Sequence, residues 1–273
     1  MSILAYAPDD LTVRVTSDTL LAELQTLLAS RNQWLPVDPW NPGDLTIGQI
    51  VDADLSGPRR YGYGTIREHI LSMRAELADR RPIRTGADVV KNAAGYDLCR
   101  LFTGARGELA TVLEVGLKVQ PRPEAEQFVS ARFATADEAW TLVEAVDTSP
   151  LTPVVLDLHN ALGAGPWVVI IGFAGMREEV AWQRSEAGRF AALADADLSH
   201  EAAFWEEDGA VPVRKVSVLP STLLDAICRR GVEALPLVAR AGNGILYHRG
   251  GPEPERSDIP LDLMRRLKHE FDP

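Results

Sequence analysis

Leu11-Thr12-Val13-Arg14-Val15-Thr16 alternates apolar and polar positions, which predicts a strand with one face on a core. Leu20, Leu21, Leu24, Leu27 and Leu28 then fall on one helical face, and Ser17 or Asp18 stands where an N-cap belongs. Residues 36–64 are rich in Pro, Gly, Asp, Ser and Arg around one short apolar piece at 45–53, the composition of ordered loops flanking a short helix. Met73, Ala75 and Leu77 alternate with Arg74 and Glu76 before Asp79-Arg80-Arg81-Pro82 and Ile83-Arg84, which predicts a hairpin; a helix over 66–77 is the competing reading. Leu113, Val115, Leu117 and Val119 form the clearest strand, stopped by Pro121-Arg122-Pro123, where a domain boundary is expected.

Beyond these prolines the pattern reads strand (128–133), helix (136–146), strand (153–158), strand (167–173) and helix (176–193). Thr135 and Glu138 have capping-box spacing for the first of these helices. A strand (213–218), a helix capped by Ser221, strands at 237–241 and 244–247, and a final helix at 261–271 follow. Two βαββ series predict an α+β arrangement, an antiparallel sheet backed by helices.

The 273 residues, 46% hydrophobic and 25% charged, exclude a disordered or collagen-like chain. No stretch approaches the roughly 20 apolar residues of a membrane helix, and Met1-Ser2-Ile3-Leu4 lacks the features of a secretory signal, so a soluble cytoplasmic protein without a membrane span is expected. A net charge of −11 argues against a nucleic-acid partner while leaving room for a small phosphorylated ligand. Cys99 and Cys228 lie far apart and outside any metal-ligand spacing, so both read as core thiols and no metal site is expected.

No catalytic triad, HExxH or Walker motif is present, and His69, His159, His200, His248 and His269 each read as isolated. Glu206-Glu207-Asp208 reads as a solvated helix end or loop. No general base stands out, and the catalytic residues stay unassigned. Two glycine-rich stretches remain. Thr46-Ile47-Gly48 with Ser56-Gly57-Pro58-Arg59-Arg60-Tyr61-Gly62-Tyr63-Gly64-Thr65-Ile66-Arg67 combines close-approach glycines with guanidinium groups suited to a phosphate or a flat cofactor. Val90-Lys91-Asn92-Ala93-Ala94-Gly95-Tyr96-Asp97, with Gly104-Ala105-Arg106-Gly107, precedes the strongest strand, and loops at strand ends favour ligands.

In order and spacing these stretches, with the later Leu-Lys-Val-x-Pro-x-Pro, resemble the FAD-binding subunit of bacterial glycolate oxidase, within the vanillyl-alcohol oxidase and p-cresol methylhydroxylase (PCMH) flavoprotein superfamily. Arg266 to Pro273 is similar to that family's closing helix. The resemblance implies a PCMH-type FAD-binding domain over 1–123 and a smaller α+β domain with an antiparallel sheet over 124–273. It implies that Thr46, Ile47, Gly48, Ser56, Gly57, Arg59, Arg60, Tyr61, Gly64 and Arg67 line FAD, with Asn92, Gly95, Tyr96 and Val112 completing that wall. Glycine N–H groups can face the pyrophosphate while Arg59 or Arg60 balances its charge.

Three departures accompany the resemblance. Family members usually begin with a further Gly-rich βα segment, so the FAD domain is expected to be truncated. Gly48-Gln49 stands for Gly-Gly, and Gly107-Glu108-Leu109-Ala110 for a Gly-Thr-Leu-Gly turn. Two functions follow as expectations. One is an FAD-binding subunit of a 2-hydroxy-acid dehydrogenase that works with a second flavoprotein subunit and an iron–sulfur subunit. The other is a non-catalytic assembly subunit with a weakened or lost flavin site.

Overall fold

The computed structural model describes residues 3–87, 97–160, 163, 165–206, 211–229, 231–253 and 261–271. The chain forms two compact units, one of residues 1–57, 64–122 and the C-terminal segment, the other of 58–63 and 123–256.

In chain order the first half contains β1 (Ile3–Ala7), β2 (Thr12–Thr16), α1 (Leu21–Ala29), β3 (Gln33–Trp34), α2 (Ile47–Ala53) and α3 (Arg60–Tyr63), the last of which lies in the second unit. Then come α4 (Ile66–His69), β4 (Ile70–Glu76), β5 (Pro82–Gly86), α5 (Leu98–Phe102), β6 (Thr111–Lys118) and β7 (Gln120–Pro121). The main sheet of the first unit runs β1-β2-β6-β4-β5, antiparallel throughout. Period-2 alternation puts Val13, Val15, Met73, Ala75, Val115 and Leu117 on the face that Leu21, Leu24 and Leu28 of α1 and Ile47, Ile50 and Val51 of α2 cover. The hairpin reading of 70–86 holds, and helix is confined to the single turn α4 ahead of it. Neither Ser17 nor Asp18 caps α1. The helix starts later, after Leu20, which makes no side-chain cap.

The second unit contains β8 (Ala125–Phe133), α6 (Ala136–Asp147), β9 (Val155–His159), β10 (Trp167–Gly175), α7 (Arg177–Ala187), β11 (Ala194–Ala196), α8 (Ser199–Trp205), β12 (Val213–Ser217), α9 (Leu223–Arg229), β13 (Leu237–Arg240) and β14 (Ile245–Arg249). Its sheet is antiparallel in the order β11-β8-β10-β9-β13-β14-β12. One face, with Val129, Ala131, Leu156, Leu158, Val169 and Ile171, packs against α6, α7 and α9. The expected capping box forms on α6. The predicted helix at 176–193 is shorter, since α7 ends at Ala187 ahead of Gly188 and the chain re-enters the sheet as β11. On the opposite face α8 lays Phe204 against Val238.

The last helix, α10 (Leu261–Phe271), belongs to the first unit, where Phe271 meets Phe102 edge-on at 5.6 Å and Lys268 Nζ donates to the Glu108 carbonyl at 2.7 Å. Cys99 is buried as expected, whereas Cys228 is exposed: α9 buries Leu223 and Ile227 one turn apart, and the next residue turns away from that stripe. Among the described residues no helix is long and apolar enough to cross a membrane.

Candidate functional site

In the first unit, the glycine-rich loops are held by contacts of the chain with itself. Thr46 Oγ1 accepts from the Gln49 N–H at 3.2 Å, and Gln49 Oε1 accepts from the Thr46 N–H at 2.9 Å. Gln49, the residue that departs from Gly-Gly, thus closes a capping box on α2. Ile47 and Gly48 are buried behind it, and a Cβ on Gly48 would stand 2.9 Å from Ser17. At Gly57 an added Cβ would lie 1.7 Å from the Asp38 carbonyl oxygen, so only glycine fits. Ser56 precedes it, half-buried, and Gly64 takes a left-handed φ of +80° above Glu68. Val112 is buried in β6 as part of the core.

Arg67 Nη2 donates to the Thr103 carbonyl at 2.8 Å and lies 3.8 Å from Asp54, while its Nε is buried without a hydrogen-bond partner. Next to it the chain turns through Gly104 and Gly107, and at Gly107 no atom stands within 4 Å of a Cβ position. An orphaned guanidinium donor beside an open turn fits an anionic cofactor.

Arg59, Arg60 and Tyr61 belong to the second unit. Arg59 forms a bidentate pair with Glu126 at 2.7 and 2.6 Å and lies over the Phe128 ring, so its charge is already matched within that unit. The charge of Arg60 acts on Tyr247. Tyr61 donates to Asp147 at 2.9 Å; burial first, then that carboxylate, pushes its hydroxyl up to about 12. Asn92, Gly95 and Tyr96 lie outside the described residues.

The second unit also holds a polar cluster that sequence reasoning missed. His159 and His200, read as isolated, stack with ring centroids 4.6 Å apart and planes within 5°. His200 Nε2 lies 3.1 Å from Asp157 Oδ2. Arg240, 2% exposed, donates to Asp157 at 2.6 Å and to both oxygens of Glu201 at 2.7 and 2.8 Å. Asp157, His200 and Glu201 approach closely enough to hold a metal ion, but the Arg240 guanidinium is the cation between the two carboxylates. Burial works against ionising Glu201, yet Arg240 and His200 hold its carboxyl below the usual range. Burial, reinforced by the charge of His200, pushes His159 down to about 3, so its ring is neutral. The available signal was the Val155-Leu156-Asp157-Leu158-His159 strand, where two polar residues share one face of an otherwise apolar run.

Both histidines line a cleft of about 630 Å³ on this face, with Ser130 and Arg132 of β8 and Val168 and Ile170 of β10. Strand register sets the order. Arg132, Val168 and His159 stand opposite one another across three strands, and Ser130, Ile170, Asp157 and Arg240 form the next row.

Residues 1–86 match the family described as FAD binding domain. Glycolate oxidase subunit GlcE of Escherichia coli K12 is 38% identical over 124 residues, covering 45% of this chain and 35% of the relative. Glycolate oxidase subunit GlcD of Bacillus subtilis 168 is 30% identical over 155 residues (57% and 33%), and a D-lactate dehydrogenase of Archaeoglobus fulgidus is 32% identical over 121 residues (44% and 27%). The chain thus spans about a third or less of the length of these relatives. A solved structure of alkyldihydroxyacetonephosphate synthase superposes with a TM-score of 0.74 at 16% identity, covering 100% of this chain and 65% of the other, a likeness of fold. Residues 1–86 thus carry the FAD binding domain match, and along its whole length the chain shares the fold of that solved structure.

Proposed function

We propose that this chain is an FAD-binding subunit of a glycolate-oxidase-like 2-hydroxy-acid dehydrogenase. One observation carries the reading: the chain is similar both to glycolate oxidase subunits and to D-lactate dehydrogenases, whose named substrates are all 2-hydroxy acids, and the FAD binding domain match lies at its N-terminal end. When bound, FAD supplies the hydride acceptor. The residues proposed to hold it in the first unit are Thr46 to Gly48, Ser56, Gly57, Gly64 and Arg67, with Asn92, Gly95, Tyr96 and Val112. Arg67 contributes the buried guanidinium donor. In the second unit Arg59, held by Glu126, serves to fix the segment that carries Arg60 and Tyr61. The partners proposed are a second flavoprotein subunit and an iron–sulfur subunit, in a cytoplasmic assembly.

A second reading, a non-catalytic assembly subunit, draws on the pairing of Arg59 with Glu126 and on glycines that fit the chain's own packing. The absorbance spectrum of the purified protein separates the two. Flavin bands near stoichiometry that bleach on adding glycolate or lactate support the dehydrogenase subunit. A colourless protein that takes up no added FAD, alone or with its partner subunits, supports the assembly role and overturns the first.

A further inference from the structure

We propose that the open face of the first sheet carries a binding site for a dianionic phosphate group, held by Arg14, Arg74 and Arg84. The observation behind it is a strand pairing that works against the stability of the free protein. Arg74 of β4 stands directly opposite Arg84 of β5, and like charges so placed repel. On its other side Arg74 meets Glu114 of β6 and pairs with it at 2.6 Å, so that acid is engaged. Glu76, on the same face, pairs with Arg80 at 3.2 Å. Arg84 is exposed and, among the described residues, its side chain has no ion-pair or hydrogen-bond partner.

Strand register builds a pocket beside these side chains. Arg14 of β2, Gly116 of β6, Ser72 of β4 and Gly86 of β5 form one row across the sheet. Two of the four have no side chain and Ser72 has a short one, so the row is a trough with Arg14 at one end and Arg74 and Arg84 along its flank. Gly86 admits no side chain: its φ is +73°, and a Cβ would lie 2.1 Å from the Leu71 carbonyl oxygen. The pocket encloses about 190 Å³. Val13, Val15 and Met73 alternate with these residues and face α1 and α2, so the pocket lies on the other side of the sheet from α2 and its Thr46–Gly48.

Charge and size set the ligand class. Three guanidinium groups against the single Glu114 carboxylate leave two positive charges around the pocket, in a chain whose net charge is −11. A phosphate dianion balances both and offers three acceptor oxygens to guanidinium forks arriving from different strands. β2 and β5 are three strand spacings apart, roughly 14 Å, a gap that arginine side chains leaning inward from both ends close around one phosphate. A monocarboxylate leaves one of the charges unbalanced. A nucleotide or flavin exceeds the space, since pockets for ligands of even drug size start at roughly 300 Å³. The site thus suits free phosphate or the phosphate end of a small ester.

The test is calorimetric titration of the full chain, at pH 8 and low ionic strength, with inorganic phosphate, glycerol phosphate and acetate, alongside melting curves with and without phosphate. Phosphate or its ester is expected to bind saturably and raise the melting temperature, and acetate to bind at least about tenfold more weakly. Arg84→Met should weaken phosphate about tenfold or more, yet melt no lower than wild type in its absence, because the repulsion between Arg74 and position 84 is gone. Arg177→Met removes the same charge from the exposed start of α7 and should leave binding unchanged. Tighter binding of the ester than of phosphate assigns the site to a small metabolite, the reverse assigns it to free phosphate, and both support it. No saturable binding of either up to roughly 10 mM, acetate bound as tightly as phosphate, or equal losses in Arg84→Met and Arg177→Met each overturns it.

Discussion

Replacing Arg240 by Met should destabilise the second unit by about 3–5 kcal/mol, the cost of stranding buried charge after one member of an ion pair is removed. The substitution deletes three charged hydrogen bonds at 2.6, 2.7 and 2.8 Å and leaves Asp157, which has no exposed surface, and Glu201 without their cation. Urea unfolding at pH 7 followed by tryptophan fluorescence measures the loss, since Trp140, Trp167, Trp182 and Trp205 all lie in this unit. Acidification supplies an internal control. In the wild type the Glu201 carboxyl is held below its ordinary value, so its contribution is complete above the usual carboxylate range and is lost as pH falls through the folded value. Without Arg240, burial raises the same carboxyl, and the deficit of the variant should shrink between about pH 7 and pH 4 as the stranded acids take up protons. Replacing all three members by apolar residues should recover most of the loss. A deficit below about 1 kcal/mol, the scale of an exposed pair, would refute the reasoning.

His159, held down to about 3 against an ordinary 6.5, stays neutral in the native state while the unfolded chain takes up its proton, so stability should fall as pH drops below 6.5 toward 3. His159→Gln should remove up to about 1.4 kcal/mol of that fall per pH unit in denaturant titrations, and an unaltered pH profile would show that the ring is not buried neutral. Gly57→Ala, with its Cβ 1.7 Å from the Asp38 carbonyl oxygen, should unfold the loop or leave the protein insoluble, whereas Gly107→Ala has free space and carries only the cost of its φ of +74°. Equal melting temperatures for the two variants would contradict this. Arg59→Ala should lower stability by about 1 kcal/mol through the loss of Glu126 and leave flavin content unchanged; a colourless variant of normal stability would instead make Arg59 a phosphate ligand.

Elements whose burial is one-sided were legible in the sequence. β2, β6 and the β4–β5 hairpin alternate because one face is core, and α6 declares itself through Thr135 and Glu138. Element ends were not: α7 stops at Ala187 because the chain rejoins the sheet as β11, a tertiary demand that the apolar run from Phe190 to Leu193 does not encode. For the site, the loops from Thr46 to Arg67 stood out through composition alone. The cluster around Arg240 did not, because its members lie up to 83 residues apart and meet only through strand register. Nor could composition reveal that Arg59 already has an acid, since Glu126 is 67 residues away.

Pro58–Tyr63 folds with the second unit while the chain on both sides of it folds with the first, so neither unit is a contiguous stretch of polypeptide. Arg59 to Glu126 and Tyr61 to Asp147 close loops of 67 and 86 residues, and the Gly62 N–H waits for the Val154 carbonyl at 3.1 Å. During synthesis the segment leaves the ribosome long before its partners, and the second unit can complete its packing only once both are present. A gene divided at the prolines would therefore produce two fragments that each lack part of one unit. Pro58–Tyr63 would go with the wrong half, and a fragment beginning at Pro123 would keep Glu126 and Asp147 but lose Arg59 and Tyr61.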